Sequence, residues 1–571
     1  MRRSWTSHFT CEEATKISLS VDNFKDKAPE LLFSHLAQGR NVLIDAPPGL
    51  GKTHSAAKVA IKLVKESGQR VLIIEPTKTL RSQVGDIIRK EDNGIAFHES
   101  KGWNDYDCPI IKTFADSSLC SYRKSVCKDE KHNCNVLIDT ENTRTSKLTI
   151  TTFAKLLLAK GLFSDYNAVI VDESHGFENA ETSFLQVYVM FDKLEEVAGK
   201  VSADYPKLTE KLRNLARGLS RMSAMLGDSV PLTSREIDDA REALGDPVLR
   251  DIWLECARQN KHLYYRTLYA NISSLHFRMQ NISNNVFFFY EGALYGRPKN
   301  MELEIANFFK NKNVALLSAT VDDATKHAKA CGLDMRRFHE TNGVILKDYP
   351  EKRRKNRKLI ALTDGPNLSR SNGEEYNLVR EEANKILLEF LQKFTRRTLV
   401  LFRGYNDQKL AWKFLENTPV SPRIHNVWQG EDSDTIDQKI TKLKSSDIVL
   451  SSASTRLWEG VDIPNLRLVI IDALPYPGKD PLSTEYNFKI GHETMIKKMK
   501  QGLGRIVRSD DDWGAAVVID NRFSKKFSSI ASKLPWFMDE DFKKLPLKDA
   551  INELDDFIEF QKSQNNESLG S

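Results

Sequence analysis

Long hydrophobic runs are missing from this 571-residue chain. No apolar stretch approaches the ~18–20 residues that span a bilayer, so no transmembrane helix and no membrane partner is expected. The basic start Met1-Arg2-Arg3 is followed by no apolar leader core, so a cytoplasmic, intracellular location is expected. Cysteine is scarce: seven residues in a chain of this length exclude a disulfide scaffold. No self-similarity recurs at roughly 20–50 residues, which excludes a solenoid or propeller. Neither charge sign dominates. The net charge of +6 permits a polyanionic partner without requiring one. What is present is ordinary: 40% hydrophobic and 28% charged residues exclude a mostly disordered or collagen-like chain. The length suits about three to five domains.

Short apolar strands alternate with helical stretches from residue 41 onward. Val42–Ile44, Val71–Ile74, Leu148–Thr151 and Val169–Val171 read as buried strands, with a helix over about Thr53–Lys65. This pattern predicts a parallel sheet covered on both faces. Residues 180–285 read instead as a helix-rich insertion, with long amphipathic stretches over Lys193–Arg217 and Ser234–Gln259. Strand signals return at Val286–Tyr290 and Val314–Leu317. The basic run Lys352–Lys358 reads as a linker or solvated loop. A second α/β series follows, with strands at Thr398–Phe402, Ile448–Leu450, Leu468–Ile471 and Ala516–Ile519. The polar end, Gln561–Ser571, is expected to fray.

Ala46-Pro47-Pro48-Gly49-Leu50-Gly51-Lys52-Thr53 lies between a strand and a helix. Glycines there let backbone N–H groups approach phosphate oxygens, and the helix N-terminus favours negative charge. Lys52 would reach the β- and γ-phosphates, and the Thr53 hydroxyl would ligate Mg²⁺. Ala46 replaces the first glycine of the strict pattern. The acidic pair such a site needs follows the strand Val169–Val171, in Asp172-Glu173-Ser174-His175. Asp172 would hold Mg²⁺ through water, and Glu173 would polarise the attacking water. The plainer readings are a chance turn and a solvated acidic pair. The two motifs together, in this order, favour an ATP site.

Cys108, Cys120, Cys127 and Cys134 fall within 27 residues as C-x11-C-x6-C-x6-C. Four thiolates suit a [4Fe–4S] cluster or tetrahedral zinc. The close C-x2–4-C pairs that structural zinc prefers are absent, and His132 offers a possible nitrogen ligand.

These residues resemble the superfamily 2 helicases. Asp172-Glu173-Ser174-His175 is similar to a DEAH box with Ser for Ala. Ser318-Ala319-Thr320 resembles motif III, and Thr455-Arg456-Leu457-Trp458-Glu459-Gly460-Val461-Asp462 resembles motif V. Gln501-Gly502-Leu503-Gly504-Arg505-Ile506-Val507-Arg508 is similar to motif VI. The XPD/DinG branch is the nearer resemblance. Lys101-Gly102-Trp103-Asn104-Asp105-Tyr106-Asp107-Cys108 is similar to the opening of that branch's iron–sulfur segment, with Asp105 in place of Asn. Asp472-Ala473-Leu474-Pro475-Tyr476-Pro477 resembles another of its stretches. The cysteine spacing departs from the branch, which often has a C-x2-C pair. The adenine-reading Gln common upstream of the phosphate loop is absent from Val21–Lys27.

The resemblance implies an α/β fold with two RecA-like parallel-sheet motor domains. Motor domain 1 would comprise residues 1–95, 136–180 and 286–345. Into it would be set an Fe–S segment (96–135) and a helical arch-like insertion (181–285). Motor domain 2 would span 346–545, with a C-terminal helix and polar tail at 546–571. Lys52, Asp172, Glu173, His175, Gln501, Arg505 and Arg508 would form the catalytic set. The two arginines would act as fingers on the γ-phosphoryl group. Glu459, Gly460 and Asp462 would join the nucleotide site. Cysteines 108, 120, 127 and 134 would hold a [4Fe–4S] cluster. Thr77, Lys78, Thr79 and Arg81 (motif Ia), Thr152 (motif Ib), and Thr455 with Arg456 would contact the nucleic-acid backbone; helix capping is the plainer reading of Thr77 and Thr152. Trp103 reads equally well as packing, and Phe287–Tyr290 reads as a core strand. The implied function is that of a monomeric, ATP-dependent DNA helicase working on single strands and duplex junctions with 5′→3′ polarity. A translocase or remodeller without strand separation, and a non-catalytic clamp, are the alternatives.

Overall fold

The computed structural model describes residues 19–102, 105–108, 113–114, 134–177, 185–247, 249, 264–299, 301–321, 323–338, 342–346, 353, 355–369, 375–428, 433–453, 457, 463–477, 488–507, 512–525, 530, 534 and 542–567. Two seven-stranded, wholly parallel sheets organise them. The first runs in the order Gly343–Ile345, Val42–Asp45, Asn313–Ser318, Ala168–Val171, Val71–Glu75, Leu148–Thr152, His98–Glu99. Its central strands are aliphatic on both faces because helices cover both. Val42, Ile44, Ile73 and Ile170 pack against the helices Phe24–Ala37, Lys52–Ser67 and Lys78–Glu91. Leu43, Leu72, Ile74 and Val169 pack on the other side against Phe153, Phe177 and Phe309.

The second sheet runs Ile424–Val427, Ile448–Ser452, Thr398–Phe402, Leu468–Ile471, Gly514–Val518, Arg357–Leu362, Phe542–Leu545. One face packs on the helix Phe488–Leu503 through Met495, Ile496 and Met499. The other packs on Tyr376–Lys393, Tyr405–Leu415 and Leu547–Glu567. That last helix is therefore a structural part of the lobe. Gln561, expected in a fraying tail, is buried, and its side-chain amide donates to the Lys355 carbonyl at 3.4 Å. Inside this lobe the Arg380 guanidinium is buried against the Asp472 carboxylate and donates to Asn384 Oδ1 at 2.8 Å.

The insertion differs from expectation in three ways. Its first long helix is two, Phe191–Val201 and Pro206–Leu226, because Pro206 starts a new helix at its first turn. The second ends at Leu244, where Gly245 lies so close to His276 that an added Cβ would collide with its ring. Residues 248 and 250–259, read as its continuation, lie outside the described residues. The third difference concerns Asn285–Tyr290. This strand does not join the motor sheet, as a boundary at 286 implied. It pairs antiparallel with Ala293–Pro298, which pairs with Val187–Met190, so the two chain ends of the insertion close on a small sheet of their own. Among the described residues no helix is long and apolar enough to cross a membrane.

Removing one partner of the Arg380–Asp472 pair strands a buried charge. Arg380→Met is expected to cost about 3–5 kcal/mol, read as a lowered urea midpoint.

Candidate active site

The loops bearing the motifs leave the carboxyl ends of the first sheet's parallel strands, where open α/β sheets hold their ligands. The phosphate loop follows Val42–Asp45 and enters the helix Lys52–Ser67 through Gly51, whose φ of +96° is a left-handed conformation that glycine adopts without strain. Lys52 is buried, and its ammonium donates to the Ala46 carbonyl at 2.8 Å and the Pro47 carbonyl at 3.3 Å. Thr53 Oγ1 donates to Asp172 Oδ2 at 2.6 Å, across 119 residues of sequence. Asp172 Oδ1 in turn accepts from the Glu173 N–H at 2.9 Å. Glu173 sits at φ 47°, and this strained turn aims its carboxylate at His175 Nδ1, 3.3 Å away. His175 Nδ1 also lies 3.2 Å from Ser318 Oγ, and the Ser318 carbonyl accepts from the Ala46 N–H at 2.9 Å. Phosphate loop, DEAH-like box and motif III thus form one hydrogen-bonded unit.

Burial raises the carboxyls here. Asp172 is pushed up to about 6 by burial and then by the Glu173 charge, against the pull of Thr53 and Lys52. Asp45, which the sequence reading passed over, is pushed to about 6 by burial; the Val321 N–H, Lys52, Lys500 and Ser318 oppose the rise. Glu75 was also missed. Fully buried at the end of its strand, it is raised well above the carboxylate range by burial, and Asp172 and Glu173 add to the effect. Neither of its carboxyl oxygens has a partner among the described residues. An acidic residue closing an aliphatic strand (V-L-I-D, V-L-I-I-E) was the available signal for both.

The second lobe closes on this unit. A Cβ on Gly504 would meet Pro48 Cγ at 3.0 Å, so motif VI packs directly against the phosphate loop. Lys500 lies near enough to Asp45 to lower its pKa. Arg505 is buried in the same segment, and Arg508 lies outside the described residues. Lys326 and Glu493 pair across the lobes at 2.8 Å. Ser174, which replaces the Ala of a DEAH box, has its hydroxyl 3.0 Å from His327 Nε2, one residue from Lys326. The basic run 352–358 is not solvated throughout its described residues. Arg353 is buried and donates to the Pro48 and Gly49 carbonyls at 3.4 Å each, and Arg357 is buried too.

These residues fit a nucleoside triphosphate with Mg²⁺. The loop N–H groups and Lys52 suit phosphates, and Thr53 and Asp172 already meet as two ligands of one ion would. The buried Gln501 Oε1 and Thr320 Oγ1 have no partner among the described residues. Glu459, Gly460 and Asp462 lie outside the described residues.

The proposed strand contacts fare unevenly. Thr77 and Thr152 are N-caps, accepting from the Leu80 N–H at 3.1 Å and the Lys155 N–H at 3.3 Å. Arg81 is buried and held by the Ser100 carbonyl at 3.4 Å, Asp105 at 3.7 Å and Glu99 at 3.8 Å; it does not present a free guanidinium to a phosphate. Lys78 pairs with Asp105, while Thr79 is half-buried. Thr455 and Arg456 lie outside the described residues. Of the four cysteines, Cys120 and Cys127 lie outside them as well. Cys108 forms part of a short strand with Asp107. Cys134 is half-buried at the start of the helix Asn135–Thr145. Around that helix the sequence reading missed a hub. Asp139 is buried and accepts from Tyr106 OH at 2.9 Å, the Lys101 N–H at 3.1 Å and Lys155 Nζ at 3.5 Å, with His98 Nε2 at 2.9 Å. Burial alone would raise its pKa, but these partners hold it below the usual range. Asp139 thereby clamps the two ends of the cysteine segment to the motif Ib helix.

Comparison with known proteins agrees with this geometry. Residues 28–203 match the DEAD/DEAH box helicase family and residues 387–540 the helicase C-terminal domain, together more than half of the chain. A protein of Methanocaldococcus jannaschii named a probable ATP-dependent helicase is 28% identical over 360 residues, covering 57% of this chain and 52% of that protein. DinG of Mycobacterium tuberculosis, an ATP-dependent helicase, is 30% identical over 146 residues, 22% of this chain and 21% of its own. YoaA of Escherichia coli, an ATP-dependent DNA helicase, is 32% identical over 108 residues, 16% of this chain and 17% of its own. This chain therefore spans about half the length of the archaeal relative and less of the bacterial ones. In fold, a solved XPD helicase superposes with a TM-score of 0.66 at 16% identity, covering 93% of this chain and all of that one. Xpd4 of S. tokodaii superposes with 0.56 at 14% identity, covering 92% and 99%. Two parallel-sheet lobes meeting at a phosphate loop and an acidic box, with the two helicase family matches, put the chain in the class of superfamily 2 helicases. Within that class, the chain belongs to the XPD/DinG-like branch.

The Asp45 shift sets a pH dependence. A carboxyl raised from 3.8 to about 6 by folding favours the fold while protonated, and that contribution is lost as pH rises from 3.8 through 6. Asp45→Asn keeps the acceptor for Val321 and removes the buried charge. At pH 7 it is expected to melt higher than the parent, with the difference vanishing below about pH 4 in a thermal-melt series.

Proposed function

We propose that this chain is an ATP-driven motor that moves along single-stranded DNA, with 5′→3′ polarity, and separates duplex ahead of it. The observation that carries the reading is the Thr53–Asp172 contact at 2.6 Å, with motif VI packed on the same loop. Mg²⁺, when bound, would neutralise the β- and γ-phosphate oxygens. Lys52 would leave its loop carbonyls to meet the phosphates. Glu173, held by His175, would orient and accept a proton from the attacking water. Arg505 and Arg508 would approach from the second lobe and stabilise the charge on the transferred group. Since the two lobes share the site, hydrolysis would loosen their contact and turn chemistry into movement.

The cysteine segment, whose two ends meet at Asp139, would act as a wedge for the strands. We assign it a [4Fe–4S] cluster from its four cysteines and its position in the chain; zinc is the alternative. No step of hydrolysis is routed through it.

Glu173→Gln is expected to lower DNA-stimulated ATP turnover about 10²–10⁴-fold while nucleotide binding persists. Unwinding that survives this change would sink the reading. Stimulated turnover in the parent without any strand separation would favour a translocase or remodeller instead. Iron and acid-labile sulfide, measured on anaerobically purified protein, are expected near four each per chain; zinc in their place would correct the cluster assignment.

A further inference from the structure

The small sheet of the insertion has two unlike faces. Val189, Leu294, Phe287 and Phe289 point into the insertion's core. The alternate positions carry Tyr188, Tyr295 and Phe288, set directly opposite one another across the three strands. Their rings form a pile: Tyr188 to Tyr295 is 5.3 Å between centroids at 28°, and Tyr295 to Phe288 is 5.2 Å at 5°. Tyr290 meets Tyr295 edge-on at 6.4 Å.

The pile is closed at one end and open at the other. Phe288 is fully buried. The segment at 229–232 pairs along its strand, with the Ser229 N–H on the Phe289 carbonyl at 2.7 Å and the Leu232 N–H on the Phe287 carbonyl at 2.8 Å. The Arg297 guanidinium lies over the Phe288 ring at 5.8 Å. At the other end Tyr188 is 43% exposed, and Met190 beside it on the same face is 38% exposed. Aromatic rings of this size are ordinarily buried or partnered. Arg297 stands two residues beyond Tyr295, about 7 Å along the strand, and the exposed Lys299 follows.

We propose that this face is a base-stacking platform on which a nucleobase of a single strand extends the pile at Tyr188, with the strand's backbone running on toward Arg297 and Lys299 of the central strand. The proposal rests on the reading of the chain as a single-strand motor and adds a binding site outside the motor lobes. Three features select a nucleic-acid strand over an apolar protein surface. The tyrosine rings offer flat π-faces with polar hydroxyl edges, the open ring terminates a stack, and the cations Arg297 and Lys299 follow Tyr295 along the central strand. Stacking of this kind tolerates any base, which suits a motor that must pass all sequences.

The test uses the full chain and a short single-stranded DNA carrying 2-aminopurine, whose emission responds to stacking. Tyr188→Ala is expected to weaken binding about fivefold or more and to remove the emission change. Tyr188→Phe, which keeps the ring, should retain both. ATP turnover without DNA should be unaltered, as should the slope of affinity against salt, because the phosphate contacts remain. Equal affinity and equal emission change in the parent and Tyr188→Ala would overturn the platform while leaving the motor intact. A parent that binds no single strand would overturn the motor reading and the platform with it.

Discussion

The Thr53–Asp172 hydrogen bond is the contact on which the rest of the molecule depends. It joins the first turn of the helix after one strand to the end of another, with the strand Asn313–Ser318 lying between them in the sheet. Both groups must arrive at the same height, and parallel register alone achieves this: Val42 pairs with Ala315, and Ala315 pairs with Ile170. The third strand contributes its own end. Ser318 links His175 on one side to the phosphate loop on the other. A slip of one residue in either pairing would exchange each strand's side chains between two differently packed faces and part the hydroxyl from the carboxylate together. Core packing and site geometry are therefore set by a single constraint.

Much of this could be read from the chain in advance, for identifiable reasons. Buried parallel strands announce themselves as short aliphatic runs, and a phosphate loop needs glycines at positions that nothing else fills. Tertiary partners do not announce themselves. Arg81 looked like a strand contact, because nothing in its neighbourhood shows that Asp105 and Glu99 will enclose it. Arg353 looked solvated, because a basic run carries no mark of the loop carbonyls it reaches more than 300 residues away. The strand 285–290 was assigned to the wrong sheet for a similar reason. Three successive phenylalanines are buried, yet alternate rings serve two different faces, and only the pairing with 293–298 reveals which.

Buried polar contacts brace the lobes from within as well as where they meet their insertions and each other. Asp139 ties the ends of the cysteine segment to the first lobe. Arg380 and Asp472 stiffen the second. Arg353 ties the connection between the lobes to the phosphate loop itself. A strained Glu173 at the centre of such a frame is held by its neighbours, as strained residues at working sites are.

Lys52, resting on the carbonyls of Ala46 and Pro47, carries a last consequence. The loop is held in shape by its own cation, so the cradle need not be built when a ligand arrives. What a newcomer must offer is a better partner for that ammonium than two neutral oxygens. A chain of anionic oxygens does so and a bare nucleoside does not. Discrimination between the two is thus a matter of exchange at one nitrogen, decided before the lobes have moved.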